Sequence, residues 1–230
     1  MMRRIRRAGV FVSLIVLPIA LATRAADDDR ESPSLLRSEN GRDSQMRLLQ
    51  FAAGRDVTYI VAVRREHDAT RTAVVPVREW LWPTSRLMPT EIVYDCTEEV
   101  LHGKAKPILC DLSRTAVRVF AILPTQVEQI ELRSSQTAIV GRTFDARVEF
   151  QDAGGKRLRG MLPFHVELVR PDGELLHDLF VTTQFDGTAL LSLPVPADAP
   201  VGKWRFEVRS QLNGLTESLP VFVDAGPAAE

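Results

Sequence analysis

The sequence has few residues of the kinds that most often carry chemistry. Among its 230 residues are only 2 cysteines and 4 histidines, and no histidines have the spacing of a metal site. It contains no Gly-x-Ser-x-Gly, Gly-x-x-x-x-Gly-Lys or Gly-x-Gly-x-x-Gly motif. Hydrolases with a nucleophile elbow, P-loop enzymes and dinucleotide-binding enzymes therefore lose their usual sequence support. These absences predict a protein without catalysis, bound metal or cofactor.

An excess of positive charge is also lacking. The chain has 29 basic and 30 acidic residues, a formal net charge of −1. Five of the arginines lie in residues 1–25, so 24 basic and 30 acidic residues remain beyond them, a net charge of −6. A nucleic-acid partner is not expected, because phosphate neutralisation needs a basic surface. After residue 25 no apolar run approaches the roughly 18 residues of a membrane helix, so the mature chain is not predicted to be an integral membrane protein.

The N-terminal residues have the pattern of a secretory signal peptide. Four arginines come first, at positions 3, 4, 6 and 7, and an apolar stretch of about fifteen residues follows over Ala8–Ala22. Small residues around Ala25 suit cleavage, so we predict a signal peptide over 1–25 and export to the periplasm or the extracellular space. An uncleaved N-terminal anchor is the alternative. Residues 26–55 predict a flexible acidic lead with a short helix over Gln45–Ala53.

Beyond the lead, the apolar pattern changes to the two-residue period of strands. Residues 56–124 contain five β-rich runs separated by Gly, Pro, Asp and Thr, which predict a first β-sandwich-like domain. The runs are Val57–Arg64, Arg71–Val77, Glu91–Tyr94, Ile108–Leu112 and Ala116–Leu123.

Seven further runs fill residues 125–224, before a short flexible tail at 225–230. Turns of the Asp-Gly and Asn-Gly type separate several of them. Seven strands in about a hundred residues predict an immunoglobulin-like sandwich. The predicted fold class is therefore all-β, with two antiparallel β-sandwich-like domains after a signal peptide and a short helical lead. The runs are Val127–Arg133, Thr143–Gln151, Phe164–Val169, His177–Thr183, Thr188–Leu193, Lys203–Ser210 and Glu217–Val223.

Four sequence phrases in the second block carry a family resemblance. They are Val140-Gly141, Leu168–Gly173, Phe185–Ala189 and the proline-rich Leu193–Trp204. On these phrases, residues 126–223 resemble a macroglobulin-type domain of the alpha-2-macroglobulin family. The resemblance implies an immunoglobulin-like sandwich and a relative of peptidase inhibitors. Family members that trap proteases carry a Cys-Gly-Glu-Gln thioester, which this sequence lacks, so covalent trapping is not implied.

The first block has a weaker resemblance of its own. Its phrases are Tyr59–Val63, Val93–Asp95, Asp111–Ser113 and Val117–Pro124. They are similar to the small β domains that follow the catalytic domain in secreted glycoside hydrolases. That resemblance implies an accessory domain that performs no chemistry.

Cys96 and Cys110 are predicted to form a disulfide. If the chain turns at His102-Gly103-Lys104, the two cysteines lie opposite each other on neighbouring strands, within the separation that a disulfide needs. The bond would stabilise the fold by roughly 3 kcal/mol in the chain-entropy model. Two buried free thiols are the alternative. The acidic residues Asp95, Glu98, Glu99 and Asp111 would surround this hairpin, either as paired carboxylates of a glycosidase or as exposed surface acids.

Trp80 and Trp82 are the residues best suited to bind a ligand or partner. At positions i and i+2 they share one face of an extended segment, where indoles can stack on sugar rings or meet a protein surface. The alternative is that both fill the core of the first block. Together these features predict a non-catalytic, exported binding module of the envelope or extracellular space. The expected partner is a protein bound by strand addition, and the alternative is an accessory carbohydrate-binding domain that binds polysaccharide.

Overall fold

The computed structural model describes residues 35–41, 44–65, 77–104 and 106–226. The predicted signal peptide and most of the predicted strand Arg71–Val77 lie outside these ranges. Sixteen strands run through the described residues. The first eight are β1 (Leu36–Ser38), β2 (Met46–Ala52), β3 (Thr58–Arg64), β4 (Arg78–Pro83), β5 (Ile92–Asp95), β6 (Val100–Lys104), β7 (Ile108–Asp111) and β8 (Val117–Leu123).

These eight strands form two antiparallel sheets that share one apolar core. One sheet has three strands in the order β1-β4-β7, and the other has five in the order β2-β3-β8-β5-β6. Because side chains alternate across a strand, each sheet turns one face toward this core. Ile60, Leu81 and Phe120 are fully buried there. The other face of the three-stranded sheet points away from this core.

The prediction of a helix over Gln45–Ala53 is wrong, because Met46–Ala52 forms strand β2. All seven residues of this strand pair with β3. Met46 is buried and Leu48 packs on the same core, a two-residue repeat that suits a strand. A full strand pairing outweighs the modest helix propensity of this segment. The lead therefore contributes β1 and β2 to the first pair of sheets.

The other eight strands build the second half of the described chain. Seven of them correspond to the seven strands predicted for residues 125–224, and the short β10 is an addition. No helix among the described residues is long and apolar enough to span a membrane. The strands are β9 (Gln129–Ser134), β10 (Thr137–Ile139), β11 (Thr143–Gln151), β12 (Pro163–Val169), β13 (Leu175–Thr182), β14 (Thr188–Pro194), β15 (Gly202–Ser210) and β16 (Thr216–Asp224).

This half is a two-sheet sandwich with an aromatic interior. Its five-stranded sheet has the order β10-β16-β15-β12-β13, and its three-stranded sheet has the order β14-β11-β9. All pairs are antiparallel except that of β10 with β16. The rings of Phe144 and Phe206 meet edge to face across the interior, with centroids 5.4 Å apart. Trp204 is also buried, and its indole N–H donates to the carbonyl oxygen of Pro200 at 2.9 Å.

Backbone hydrogen bonds join the first pair of sheets to the second. The Met161 N–H donates to the Ala53 carbonyl oxygen at 2.7 Å, and the Asp56 N–H donates to the Arg159 carbonyl oxygen at 2.8 Å. Every strand before residue 124 belongs to the first pair of sheets and every later strand to the second. All the described residues nevertheless fall within one compact unit. The division into separate domains at residue 124 stays a prediction.

Candidate ligand-binding face

Trp80 and Trp82 lie on the solvent-facing side of strand β4. Along this strand Glu79 and Leu81 are buried, while the two tryptophans between and beyond them point outward. Trp80 is 42% exposed and Trp82 is 43% exposed, so they are not the core residues of the alternative interpretation. They share a face, as predicted for an extended segment, at a spacing of roughly 6.7 Å along the strand.

The neighbouring strands add one apolar residue and several charged ones to this face. The strand register sets Leu109 of β7 opposite Trp80 and Arg37 of β1 opposite Trp82. Leu109 is 44% exposed, so three apolar side chains meet solvent side by side. We call this surface the Trp face, formed by Arg37, Glu39, Arg78, Trp80, Trp82, Leu109 and Asp111.

Charged groups border the tryptophans on both sides. Arg78 Nε donates to Asp111 Oδ2 at 2.8 Å, from β4 to β7. Hydrogen bonds from the Ser113 side chain and then from its backbone N–H hold the pKa of Asp111 below its ordinary value. On the β1 side, Glu39 Oε1 accepts from the Trp80 backbone N–H at 3.2 Å. The Trp face therefore has two arginines and two acidic residues around an apolar centre.

Directly beneath the Trp face, the buried carboxylate of Glu79 holds β1 and the residues just before β2 against β4. Glu79 is only 3% exposed. It accepts hydrogen bonds from Ser44 Oγ at 2.7 Å, from the Gln45 N–H at 2.7 Å and from Ser38 Oγ. Burial acts to raise the pKa of Glu79, but these hydrogen bonds to its charged form hold the pKa below its ordinary value. Because Ser38 follows Arg37 directly, this anchor also holds Arg37 beside the tryptophans.

The predicted disulfide is absent, and Cys96 and Cys110 are both free, buried thiols. The expected turn at His102–Lys104 is part of strand β6, which pairs with β5. Cys110 is in β7 and consequently lies opposite Glu79 of β4, not opposite Cys96. Burial raises the pKa of both thiols, that of Cys110 to about 12. Neither thiol is a ready nucleophile, and the free-thiol alternative is the one the structure contains.

The acidic residues expected around that hairpin are dispersed. Asp95 is fully buried at the end of β5, where it forms an ion pair with Arg118 of β8. Asp111 lies in the other sheet, on the Trp face. Glu99 reaches the second half of the described chain and pairs with Arg209. These acids therefore do not form the facing carboxylate pair that glycoside hydrolysis uses.

The histidines on the sandwich are structural. His177 Nε2 is 2.8 Å from the carbonyl oxygen of Pro194, a contact that joins β13 to β14. The adjacent Asp178 points to the opposite face and contacts His165 Nε2 at 2.5 Å. This separation of His177 from Asp178 agrees with strand alternation. Among the described residues, no group of three or more His, Cys, Asp or Glu side chains is arranged to hold a metal ion.

Sequence reasoning missed four members of the Trp face, among them Arg78, which comes directly after the predicted strand Arg71–Val77 and begins β4. Arg37 and Glu39 belong to or follow strand β1, whose three residues are too few to show a period. Leu109 lies inside a predicted strand, and alternation alone sets it on the face opposite Ile108 and Cys110. That alternation could have marked Leu109 as exposed. Its position beside Trp80 depends on the strand order, which a local pattern does not contain.

Comparison with solved structures finds matches of low sequence identity that cover most of this chain. The native conformation of alpha-2-macroglobulin from E. coli is 12% identical, over 75% of this chain and 14% of that one, with a TM-score of 0.36. The adhesin domain of Epf from Streptococcus pyogenes is 10% identical, over 84% of this chain and 87% of that one, with a TM-score of 0.33. A beta-glycosidase from Bacteroides vulgatus is 8% identical, over 78% of this chain and 25% of that one, with a TM-score of 0.31.

The matched structures include both kinds of protein that the sequence resembles, macroglobulins and glycosidases. The chain spans 14% of the length of the E. coli macroglobulin. No protein-family model and no curated protein matches the sequence.

Proposed function

We propose that this chain is an exported, non-catalytic module that binds a partner outside the cytoplasmic membrane through the Trp face. The observation that carries the proposal is the exposure of Trp80, Trp82 and Leu109 side by side on one sheet face. Fully burying a large apolar side chain gains about 1.5–3 kcal/mol, and each of these three side chains still exposes 42–44% of its surface, so a partner that covers them gains part of that free energy. Rimmed apolar clusters of this kind mark binding surfaces.

Export is supported by the N-terminal sequence pattern. Four arginines followed by a short apolar stretch and small residues match a secretory signal over residues 1–25. The periplasm and the extracellular space are the compartments that such a signal supplies. A partner of the Trp face would then belong to the envelope or lie beyond it.

The dispersal of the titratable side chains supports a role without catalysis. Asp95 and Asp111 lie in different sheets, and each is held by its own arginine. The thiols of Cys96 and Cys110 are buried and have raised pKa values. A nucleophile next to a base, the usual core of a covalent mechanism, does not arise from these groups.

Retention on isolated envelope of the source organism tests the proposal. The double variant Trp80→Ala/Trp82→Ala should lower retention of the purified mature protein by at least about tenfold, because large aromatic residues dominate binding energy. Leu190→Ala is the matched control, since Leu190 is 71% exposed but lies on β14 in the second half of the described chain. Unchanged retention of the double variant, with an unaltered circular dichroism spectrum, would reject the Trp face as the binding surface.

A protein partner added to the edge of a sheet is the second candidate. Strand β13 forms one edge of the five-stranded sandwich sheet, and its Leu175 and Leu179 are exposed. An extended segment could pair with this edge and cover both leucines. A charge in an edge strand opposes such pairing, so Leu179→Lys should abolish retention if this mode operates. Retention that survives Leu179→Lys but not the tryptophan substitutions would exclude it.

A further inference from the structure

We infer that the partner of the Trp face is a polysaccharide, an extended chain of β-linked pyranose rings lying along strand β4. This inference rests on the proposed function and names its ligand. Trp80 and Trp82 project from the same side of one strand with their Cα atoms roughly 6.7 Å apart, so the two indoles can contact neighbouring rings of one extended sugar chain. The C–H face of a pyranose ring is apolar and packs on an indole, while its hydroxyl groups remain at the ring edge.

The polar surroundings of the indoles match those hydroxyl groups. Arg37 lies opposite Trp82, and a guanidinium offers up to five N–H donors in one plane. The Arg78–Asp111 pair lies at the end of the face next to Trp80 and offers donors and acceptors together. The Trp face is therefore complementary to a sugar chain: its apolar strip can pack on the apolar ring faces, and the donors and acceptors beside the strip can bond the hydroxyl groups at the ring edges.

The size and charge of the Trp face argue against a protein or a nucleic acid as its main partner. A specific protein interface buries about 800 Å² and some 20–30 residues on each side. The Trp face has seven residues, of which three are apolar and each less than half exposed. Its two arginines are balanced by two acidic residues, so it lacks the positive excess that a phosphate backbone requires. A neutral, narrow, extended ligand fits these limits.

The position of β4 sets the direction of the bound chain. This strand is central in its sheet, between β1 and β7. Both tryptophans come from β4, so a ligand stacked on the two must run parallel to the strand. Arg37 and Glu39 then lie along one edge of the ligand, and Leu109 and Asp111 lie along the other.

Titration with defined oligosaccharides tests this assignment. The probes are cello-oligosaccharides and chito-oligosaccharides of increasing length, with amylose as an α-linked polymer for comparison. The chain has three tryptophans, and Trp204 is buried, so a change in intrinsic fluorescence reports on Trp80 and Trp82. Affinity should rise with length until the oligosaccharide covers both indoles and then level off. Amylose, which coils, should bind more weakly.

Single substitutions should separate stacking from hydrogen bonding. Trp80→Ala and Trp82→Ala should each lower the affinity by about tenfold or more, as expected for a hot-spot aromatic. Trp82→Phe should retain part of the binding because a smaller ring still stacks. Arg37→Ala should lower affinity several-fold without changing the circular dichroism spectrum, because Arg37 is exposed. Leu190→Ala should bind like the natural protein.

Four outcomes would overturn the inference, and they distinguish it from the proposed function. If both tryptophan variants bind the oligosaccharides normally, or if amylose binds best, the site or the ligand geometry is wrong. If the oligosaccharides do not bind, while envelope retention depends on Trp82 and is abolished by protease but not by periodate, the partner is a protein and only this inference fails. If retention does not depend on the tryptophans at all, the proposed function fails with it.

Discussion

The hydroxyl group of Tyr59 donates a hydrogen bond of 2.6 Å to the backbone carbonyl oxygen of Met161. This bond links strand β3 of the first pair of sheets to the segment that precedes β12 of the second. Tyr59 is buried, and burial, followed by the nearby thiol of Cys96, raises the pKa of its phenol well above the ordinary value. The neutral phenol is thus both a structural donor and a group that resists ionisation.

Alkaline pH should therefore unfold the protein, and Tyr59→Phe should weaken that response. Burial also raises the pKa of Tyr94, to about 12. A phenol whose pKa is raised by folding stabilises the fold fully below its unfolded-state pKa of about 10, and this contribution is lost as the pH rises above that value. Each such tyrosine adds a slope of up to about 1.4 kcal/mol per pH unit. Urea unfolding at a series of pH values measures the slope.

The natural chain offers a direct control for this prediction. Tyr59 and Tyr94 are its two tyrosines, so the ultraviolet absorbance of tyrosinate should appear together with loss of native circular dichroism. At neutral pH, Tyr59→Phe should cost about 1–2 kcal/mol, since the Met161 carbonyl loses its donor. Tyrosinate absorbance that rises near pH 10 in a protein that is still folded would contradict the burial of these phenols.

The two-residue alternation of the sequence predicted most strands and the shared face of Trp80 and Trp82. Alternation is a local property, so it survives whatever the neighbouring strand is. The partners of each strand are a non-local property. The hairpin that would have paired Cys96 with Cys110 assumed that consecutive β-rich runs pair with each other. The intervening residues Val100–Lys104, which include Gly103, instead form β6 and pair with β5 around a bulge.

The helix error has a related cause. Residues Met46–Ala52 contain good helix formers, and their apolar positions satisfy a helical period as well as a strand period over so short a segment. Pairing with β3 decides between the two. The role of Glu79 was also beyond sequence reasoning, because its donors Ser38 and Ser44 lie 41 and 35 residues earlier in the chain. Only the folded arrangement brings those donors under β4.

A methyl group at Gly54 should destabilise the junction between the two pairs of sheets. Gly54 has a φ of +131°, and a Cβ built there would lie 2.4 Å from the Cα of Gly160. Because that neighbour is backbone, no rotamer change relieves the clash. Gly54→Ala should therefore cost about 3 kcal/mol or more, from overpacking and from the unfavourable φ together. Chemical denaturation measures the loss.

Gly173→Ala provides the matched comparison for Gly54→Ala. Gly173 also has a positive φ, of +87°, but nothing lies within 4 Å of its added Cβ. Gly173→Ala should lower the free energy of unfolding by only about 1–2 kcal/mol, the cost of placing an alanine at a positive φ. Equal losses for the two variants would mean that the close approach of Gly54 to Gly160 does not exist in solution.

Thiol reagents should find no reactive cysteine in the folded protein. Cys96 and Cys110 are almost fully buried, so a reagent cannot reach them in the folded protein. Burial also raises the pKa of both thiols, so they remain protonated and unreactive at neutral pH. On unfolding in denaturant without reductant, both thiols should react at once. If the unfolded protein reacts only after reduction, a disulfide is present and the register of β5, β6 and β7 must differ.

Acid should remove the contribution of Glu79 to stability. The pKa of Glu79 is lowered in the folded state, so its carboxylate stabilises the fold above the unfolded-state pKa of about 4.3 and loses this effect as the pH falls through the folded value. Glu79→Gln replaces one carboxylate oxygen by an amide NH2 group. The free energy of unfolding should fall by about 1–3 kcal/mol at neutral pH, because Ser38, Ser44 and the Gln45 N–H lose a charged acceptor.

The pH dependence separates this electrostatic role of Glu79 from simple packing. The difference in unfolding free energy between the natural protein and Glu79→Gln should shrink as the pH falls through the lowered pKa of Glu79 and the natural carboxylate becomes protonated. Glu217→Gln, at an exposed position of β16, should change stability by no more than about 0.5 kcal/mol at any pH. A difference for Glu79→Gln that is as large in acid as at neutral pH would indicate that shape, rather than the charged carboxylate, holds β1 beside β4.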